Sequence, residues 1–305
     1  MSEQNPNHYI PRVALAVSPV ANTMRAFSAD LGTWADQTGI TVDPSDVFLT
    51  GGSVAFVASP VANTLRAYSA ITGAWANQTG ITVDPSDTFL AVGNVALAAS
   101  PVANTIRAYS GIIGTWANQT GITVDATDRF HVGSHVALVA SPVANTIRAY
   151  SALLGTWANQ TGITVDPSDL FITTGNVAFV ASPLANTLRA YSAITGAWTN
   201  LTGITVDPSD TFKVGSHVAF AASPVANTLR AFSALLGTWA NQTGIMVDHT
   251  DTFIASGNVA FAASPVANTI RAYSASTGTW INQTGITVDP TDRFRVGSIN
   301  GIDNN

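Results

Sequence analysis

The chain has no cysteine, one glutamate (Glu3) and one lysine (Lys213) among its 305 residues. Without cysteine there is no disulfide, no thiol nucleophile and no thiolate metal ligand. Glu and Lys ordinarily fill the solvent face of surface helices, so their near absence argues against helices. Charged residues of all kinds make up only 10% of the chain, against 46% hydrophobic. The formal net charge is −6 and the basic residues form no stripe, so the electrostatic footprint of nucleic-acid binding is missing. No apolar run approaches the roughly 20 residues that a membrane helix needs. The stretch before Ser18 has no basic n-region, and its apolar run Val13–Val17 is too short for a signal peptide. The expected location is therefore the cytoplasm, or the exterior by a route without a recognisable signal peptide. The matches to Asn-x-Thr, Asn77-Gln78-Thr79 and its copies, then read as by-products of repetition rather than glycosylation sites.

Thr, Val, Ile and aromatic residues are plentiful, with Gly and Pro between short runs, which is the composition of strands and turns. One stretch, "SPVANTLRAYSAITGAWANQTGITVDPSD" (Ser59–Asp87), returns almost unchanged along the chain. Its Ser-Pro pair falls at Ser18, Ser59, Ser100, Ser141, Ser182, Ser223 and Ser264, a fixed interval of 41 residues. A β-rich unit of about 40 residues is the signature of a propeller blade. A solenoid would want terminal caps of atypical sequence, and neither end supplies one. Four strands are expected per unit. In one copy they are Asp87–Gly93, Val95–Ala99 after a Gly-Asn turn, Asn104–Ser110 and Gly114–Thr120.

The chain starts on a second strand (Val13–Val17) and ends on an unmatched first strand, Arg293–Ser298. Pairing these halves into one blade would close a ring and remove the free strand edges. The expected fold is therefore all-β: a seven-bladed β-propeller with four antiparallel strands per 41-residue blade, closed by pairing the C-terminal strand with the N-terminal strands. The expected organisation is an N-terminal extension over 1–12, one propeller over 13–298 and a tail over 299–305.

Each unit also carries an aromatic residue, six residues, then Trp: Tyr68 and Trp75, Tyr109 and Trp116, Tyr150 and Trp157, Tyr191 and Trp198, Tyr273 and Trp280. Phe27 with Trp34 and Phe232 with Trp239 are conservative versions. This spacing resembles the kelch repeat, which implies blades closed by a C-terminal innermost strand. It departs from kelch where the second strand ends, for Ala99-Ser100 stands in place of a double glycine. The wider pattern around Trp, Gly and the next aromatic pair is also similar to the tectonin-like propeller lectins.

Arg recurs once per unit (Arg25, Arg66 and onward) on the strand face that holds Thr64 and Tyr68. Two Asp residues also recur, Asp84 and Asp87 being one pair. A structural Arg–Asp contact between loop and strand is one reading of these residues. The other is a set of groups that hold ligand hydroxyls, the Trp offering a ring for sugar stacking. Asp84-Pro85 has the form of a capped turn. On the ligand reading the carbohydrate-binding residues are Asn63, Arg66, Trp75 and Asp84, with four sets of copies in the next blades. These are Asn104, Arg107, Trp116 and Asp125; Asn145, Arg148, Trp157 and Asp166; Asn186, Arg189, Trp198 and Asp207; and Asn227, Arg230, Trp239 and Asp248. Asn268, Arg271, Trp280 and Asp289 complete the series.

Nothing points to catalysis or a cofactor. An active site needs different groups in different roles, and here no loop is longer than its copies and Glu is absent from the repeats. His131 and His135 lack a third ligand for zinc, and two carboxylates fall short of a calcium shell, so no metal is expected. Alternation of Leu49, Ile172 and Ile254 with His131, Lys213 and Arg295 reads as growth by doubling of a two-blade unit. The leading expectation is a multivalent, lectin-like protein with near-equivalent sites at blade junctions. Its partners would be glycans on a repetitive surface, with neither nucleic acid nor membrane insertion and with a homo-oligomer left open. A kelch-type interaction scaffold, or a recently amplified or engineered symmetric propeller without a specific ligand, remains the alternative.

Overall fold

The structure is a computed structural model that describes residues 12–297. Every regular element among them is a strand. The first sheet holds β1 (Val13–Ser18), β2 (Thr23–Ser28) and β3 (Thr33–Gln37). The second holds β4 (Val47–Thr50), β5 (Val54–Ser59), β6 (Thr64–Ser69) and β7 (Ala74–Gln78). The third holds β8 (Thr88–Val92), β9 (Val95–Ser100), β10 (Thr105–Ser110) and β11 (Thr115–Thr120). The fourth is β12 (Arg129–Val132), β13 (Val136–Ser141), β14 (Thr146–Ser151) and β15 (Thr156–Thr161). β16 (Leu170–Thr174), β17 (Val177–Ser182), β18 (Thr187–Ser192) and β19 (Ala197–Leu201) form the fifth. β20 (Thr211–Val214), β21 (Val218–Ser223), β22 (Thr228–Ser233) and β23 (Thr238–Thr243) form the sixth. The last is β24 (Thr252–Ser256), β25 (Val259–Ser264), β26 (Thr269–Ser274) and β27 (Thr279–Thr284).

Each sheet is an antiparallel meander in chain order, and six of the seven have four strands. The chain is all-β, an array of seven propeller-type blades. Residues 292–297 form no regular element, and sheet β1–β2–β3 has three strands among the described residues. Residue 298 and the flanking tails lie outside the described residues.

The chain forms two compact units, Met1–Ile163 and Thr164–Asn305. In the first, Val54, Phe56 and Ala58 of blade 2 meet Ala96, Ala98 and Tyr109 of blade 3. Val95, Leu97 and Ala99 then meet Ala137, Val139 and Tyr150 of blade 4. In the second unit Val177 and Phe179 meet Ala219 and Phe232, and Val218 and Phe220 meet Ala260 and Tyr273. Larger residues on one face thus sit on alanines and an aromatic on the next, and this alternation of large and small lets two sheets approach closely. Middle strands are consequently buried on both sides, β9 and β10 throughout their length. That explains why "VALAA" carries no polar alternation.

No helix among the described residues is long and apolar enough to cross a membrane.

Candidate functional site

The loop between the second and third strands of each blade is made by Ser-Pro-x-Ala-Asn. Pro60 presets φ, the Asn63 N–H donates to the Pro60 carbonyl at 3.3 Å, and Asn63 takes φ 49°. Asn tolerates that left-handed conformation better than other L-residues. Its side chain then acts at a distance: Oδ1 accepts the Val83 N–H at 3.2 Å, and Asn104, Asn186, Asn227 and Asn268 hold Val124, Val206, Val247 and Val288 in the same way. Asn145 shares the backbone conformation and accepts the Ile163 N–H on its carbonyl.

Each such valine is followed by the turn that sequence marked as capped. Asp84 Oδ1 accepts from both the N–H (2.9 Å) and Oγ (2.6 Å) of Ser86, and these bonds hold its pKa below the usual carboxylate value. Asp125, Asp166, Asp207, Asp248 and Asp289 repeat the arrangement. The second carboxylate closes the turn from the other side, for the Asp84 N–H donates to Asp87 Oδ2 at 3.1 Å. Burial raises the pKa of Asp87, opposed by Ser100 and Arg107; Asp128, Asp210 and Asp251 behave alike. Asn and Asp of the expected site therefore converge on one loop segment.

The Arg residues of the expected site are buried, and its Trp residues are only half-exposed. Arg107 is 7% exposed, and its Nη1 donates to Thr105 Oγ1 at 2.6 Å. Burial lowers its pKa while Asp87 works against that shift. Arg66, Arg148, Arg189, Arg230 and Arg271 are equally buried between blades. Arg25 alone is open, 3.5 Å from Asp36. Trp116 stacks on Tyr109 with centroids 5.3 Å apart, and its Nε1 donates to the Ala76 carbonyl of the preceding blade at 3.1 Å. Trp75, Trp157, Trp239 and Trp280 make the same bond to Ala35, Ala117, Thr199 and Ala240. Trp198 stacks on Tyr191 as the others do. The repeated Tyr–Trp pair is thus a junction device.

One cleft of about 280 Å³ opens on this loop side in the second unit, lined by Ser209, Thr211, Pro224, Val247, Asp248, His249, Asp251 and Phe253. Two hydroxyls, two carboxylates and the His249 imidazole, 3.2 Å from Asp248 Oδ1, share the lining with the apolar Pro224, Val247 and Phe253. Asp248 spends Oδ1 on the turn, and its Oδ2 accepts nothing from the described residues. Sequence reasoning missed Pro224, Val247 and Phe253 because they look like turn and core residues until the loops are folded together. It also missed the row at the loop apex: Val61, Val102 and Val143 in the first unit, Leu184, Val225 and Val266 in the second, are all exposed. A large apolar side chain repeated at one exposed position was the available signal. No group of three potential metal ligands occurs among the described residues.

These features define a protein of repeated antiparallel blades, with one described cleft on the loop side. No protein-family model and no curated protein matches the chain. Among solved structures it is similar to the computationally designed Ika8 protein, at 11% identity over 90% of this chain and 85% of that one, TM-score 0.33. A functionally unknown protein from Desulfotomaculum acetoxidans is 17% identical over 89% and 95%, TM-score 0.31. Hsv2 from Kluyveromyces lactis is 11% identical over 76% and 75%, TM-score 0.31. Likeness at this level carries no function across.

Proposed function

We propose that this protein is a non-catalytic, multivalent carbohydrate binder of the lectin-like propeller kind, with sites in the loop clefts at its blade junctions. The observation that carries this reading is the cleft around Asp248, where a turn-fixed carboxylate keeps one oxygen free beside Ser209, Thr211 and the faces of Val247 and Phe253. Sugars offer pairs of hydroxyl donors and an apolar ring face, which suit a preorganised carboxylate above an apolar floor. Repetition of the Asn–Val–Asp segment supports multivalency, because a weak site of millimolar strength is worth only about 4 kcal/mol. Linked copies multiply that affinity on a repetitive surface by roughly 10² to 10⁴. The proposed ligand set centres on the turn aspartates, of which Asp248 lines the cleft, while the buried Arg and the Trp bonded to the preceding blade are assigned to the junctions. The proposed role is recognition rather than turnover.

A glycan array with the labelled protein, followed by titration calorimetry on any hit, tests the reading. Asp248→Asn keeps the turn acceptor and removes the charge, so it should weaken its own site about tenfold or more. A blank array would defeat the reading.

The exposed Val and Leu row favours a second reading, a scaffold that docks a protein along one loop face. Val102→Lys with Val143→Lys would abolish such docking and leave a sugar-binding cleft intact.

A further inference from the structure

The loop between the second and third strands repeats through the first unit with one geometry. Asn22, Asn63, Asn104 and Asn145 take φ of 48° to 50°. Ser18, Ser100 and Ser141 accept on Oγ the N–H of Ala21, Ala103 and Ala144. The turn so pinned presents the residue after its proline to solvent. Val61, Val102 and Val143 are 59%, 61% and 59% exposed, and Val20 is 99% exposed. Ser, Pro and Asn make the turn's bonds, so its geometry does not require an aliphatic residue at the apex. Scattered exposed valines are ordinary, but one at the same place on four successive blades makes an apolar row.

Negative charge runs beside that row. Asn22, Asn63 and Asn104 accept on Oδ1 the N–H of Val42, Val83 and Val124. Each apex is thereby tied to the turn that begins at Asp43, Asp84 or Asp125. These carboxylates accept from Ser45, Ser86 and Thr127, bonds that hold their pKa below the usual carboxylate value. None of the three forms an ion pair among the described residues. An apolar row flanked by uncompensated carboxylates is complementary to an apolar edge flanked by positive charge. The same ionised groups oppose insertion into lipid.

The spacing selects the partner's backbone. Blades of this unit pack face to face: Ala26 with Ala55 and Tyr68, Phe56 with Ala96 and Tyr109, Leu97 with Ala137 and Tyr150. Packed sheets lie about 10 Å apart, which sets the scale of the step between apices. On an α-helix every seventh residue returns to the same side after about 10.5 Å. An extended strand covers that distance in about three residues, which reverses its face. The helix fits the row and the strand does not. Every regular element among the described residues is a strand, so the helix belongs to another protein.

We propose that the loop face of the first unit docks a basic amphipathic helix of a partner protein. Aliphatic residues every seven positions rest on the valine apices, and Lys or Arg beside them meet Asp43, Asp84 and Asp125. Spanning the four apices takes roughly 21 helical residues. The proposal rests on the reading of this loop side as a docking face and does not depend on sugar binding.

Fluorescence anisotropy with the full chain tests it. The probe is a labelled synthetic peptide of that length with Leu at heptad spacing and Lys beside each Leu. Two controls keep the composition: one alternates Leu with polar residues, the other replaces Lys by Glu. The heptad peptide should bind, and raising the salt should weaken it. Val61→Lys and Val102→Lys, exposed positions that leave the circular dichroism unchanged, should each cost about tenfold or more in affinity. Asp84→Asn with Asp125→Asn keeps the turn acceptors and should weaken binding several-fold. Heptad binding that ignores the valine substitutions would overturn the proposal, and so would equal binding of the Glu peptide. If the alternating peptide binds better and Val102→Lys abolishes that binding, the docking face stands and the helix falls. If no peptide binds, both fall. Binding to phosphatidylcholine vesicles alone would assign the row to a lipid surface and overturn both as well.

Discussion

Trp116 and its copies show how one residue type can serve two roles that a sequence does not separate. An indole repeated beside Tyr suits a sugar platform and a blade junction equally well. What decides is the carbonyl of the preceding blade, Ala76 for Trp116, which takes the indole N–H. Trp116→Ala should therefore cost about 3 kcal/mol of stability in urea unfolding, near the low end for loss of a large ring from a partly solvated site. Ligand affinity per folded molecule should not change, whereas a sugar-stacking role would abolish it. At Asn104 the left-handed conformation and the Val124 bond are both at stake. Asn104→Ala should lose about 1–2 kcal/mol, and Asn104→Gly less, because glycine restores the backbone half of the effect.

At the scale of the element, strands and turns were legible because each follows from local chemistry. Second strands with apolar residues on both faces pointed to burial between blades, and β9 and β13 are buried throughout. Asp-Pro-Ser-Asp announced a capped turn, and Asp84 caps Ser86. Junction serines carry a further consequence. Ser110 Oγ donates to the Ala152 carbonyl of the next blade at 2.6 Å and accepts from the Ile113 N–H. Ser110→Ala leaves these groups buried and should cost about 2 kcal/mol, with a similar loss for Ser192→Ala and Ser233→Ala, which make the same bridge.

The two carboxylates of each turn also give stability opposite dependences on pH. Asp87, Asp128, Asp210 and Asp251 have raised folded-state pKa values, so the folded state binds protons more readily than the unfolded one. Their contribution is present below 3.8 and is lost as pH rises through the folded values. Asp84, Asp125, Asp207, Asp248 and Asp289 have lowered values, so their contribution is present above 3.8 and lost as pH falls through the folded ones. Urea midpoints should therefore rise as pH drops toward 3.8, then fall below it. A midpoint that falls monotonically from pH 6 would show that the buried set is not desolvated as described.

For the molecule as a whole, near-identical units repeat near-identical junctions of small and large residues within each compact unit, and the proposed recognition uses what those junctions present on the loop side. The sequence revealed the repetition but not which copies of a polar residue face water, since Arg66 is buried and Arg25 is not. Ligand recognition through fixed carboxylates and hydroxyls rather than a field of net charge should also be only weakly sensitive to salt. The most direct test of the central claim is calorimetric stoichiometry on a monovalent sugar identified by glycan array. Multivalent recognition at the junction clefts predicts several equivalent sites per chain, each weakened by substitution of its own turn aspartate. One site per chain, or none, would contradict it.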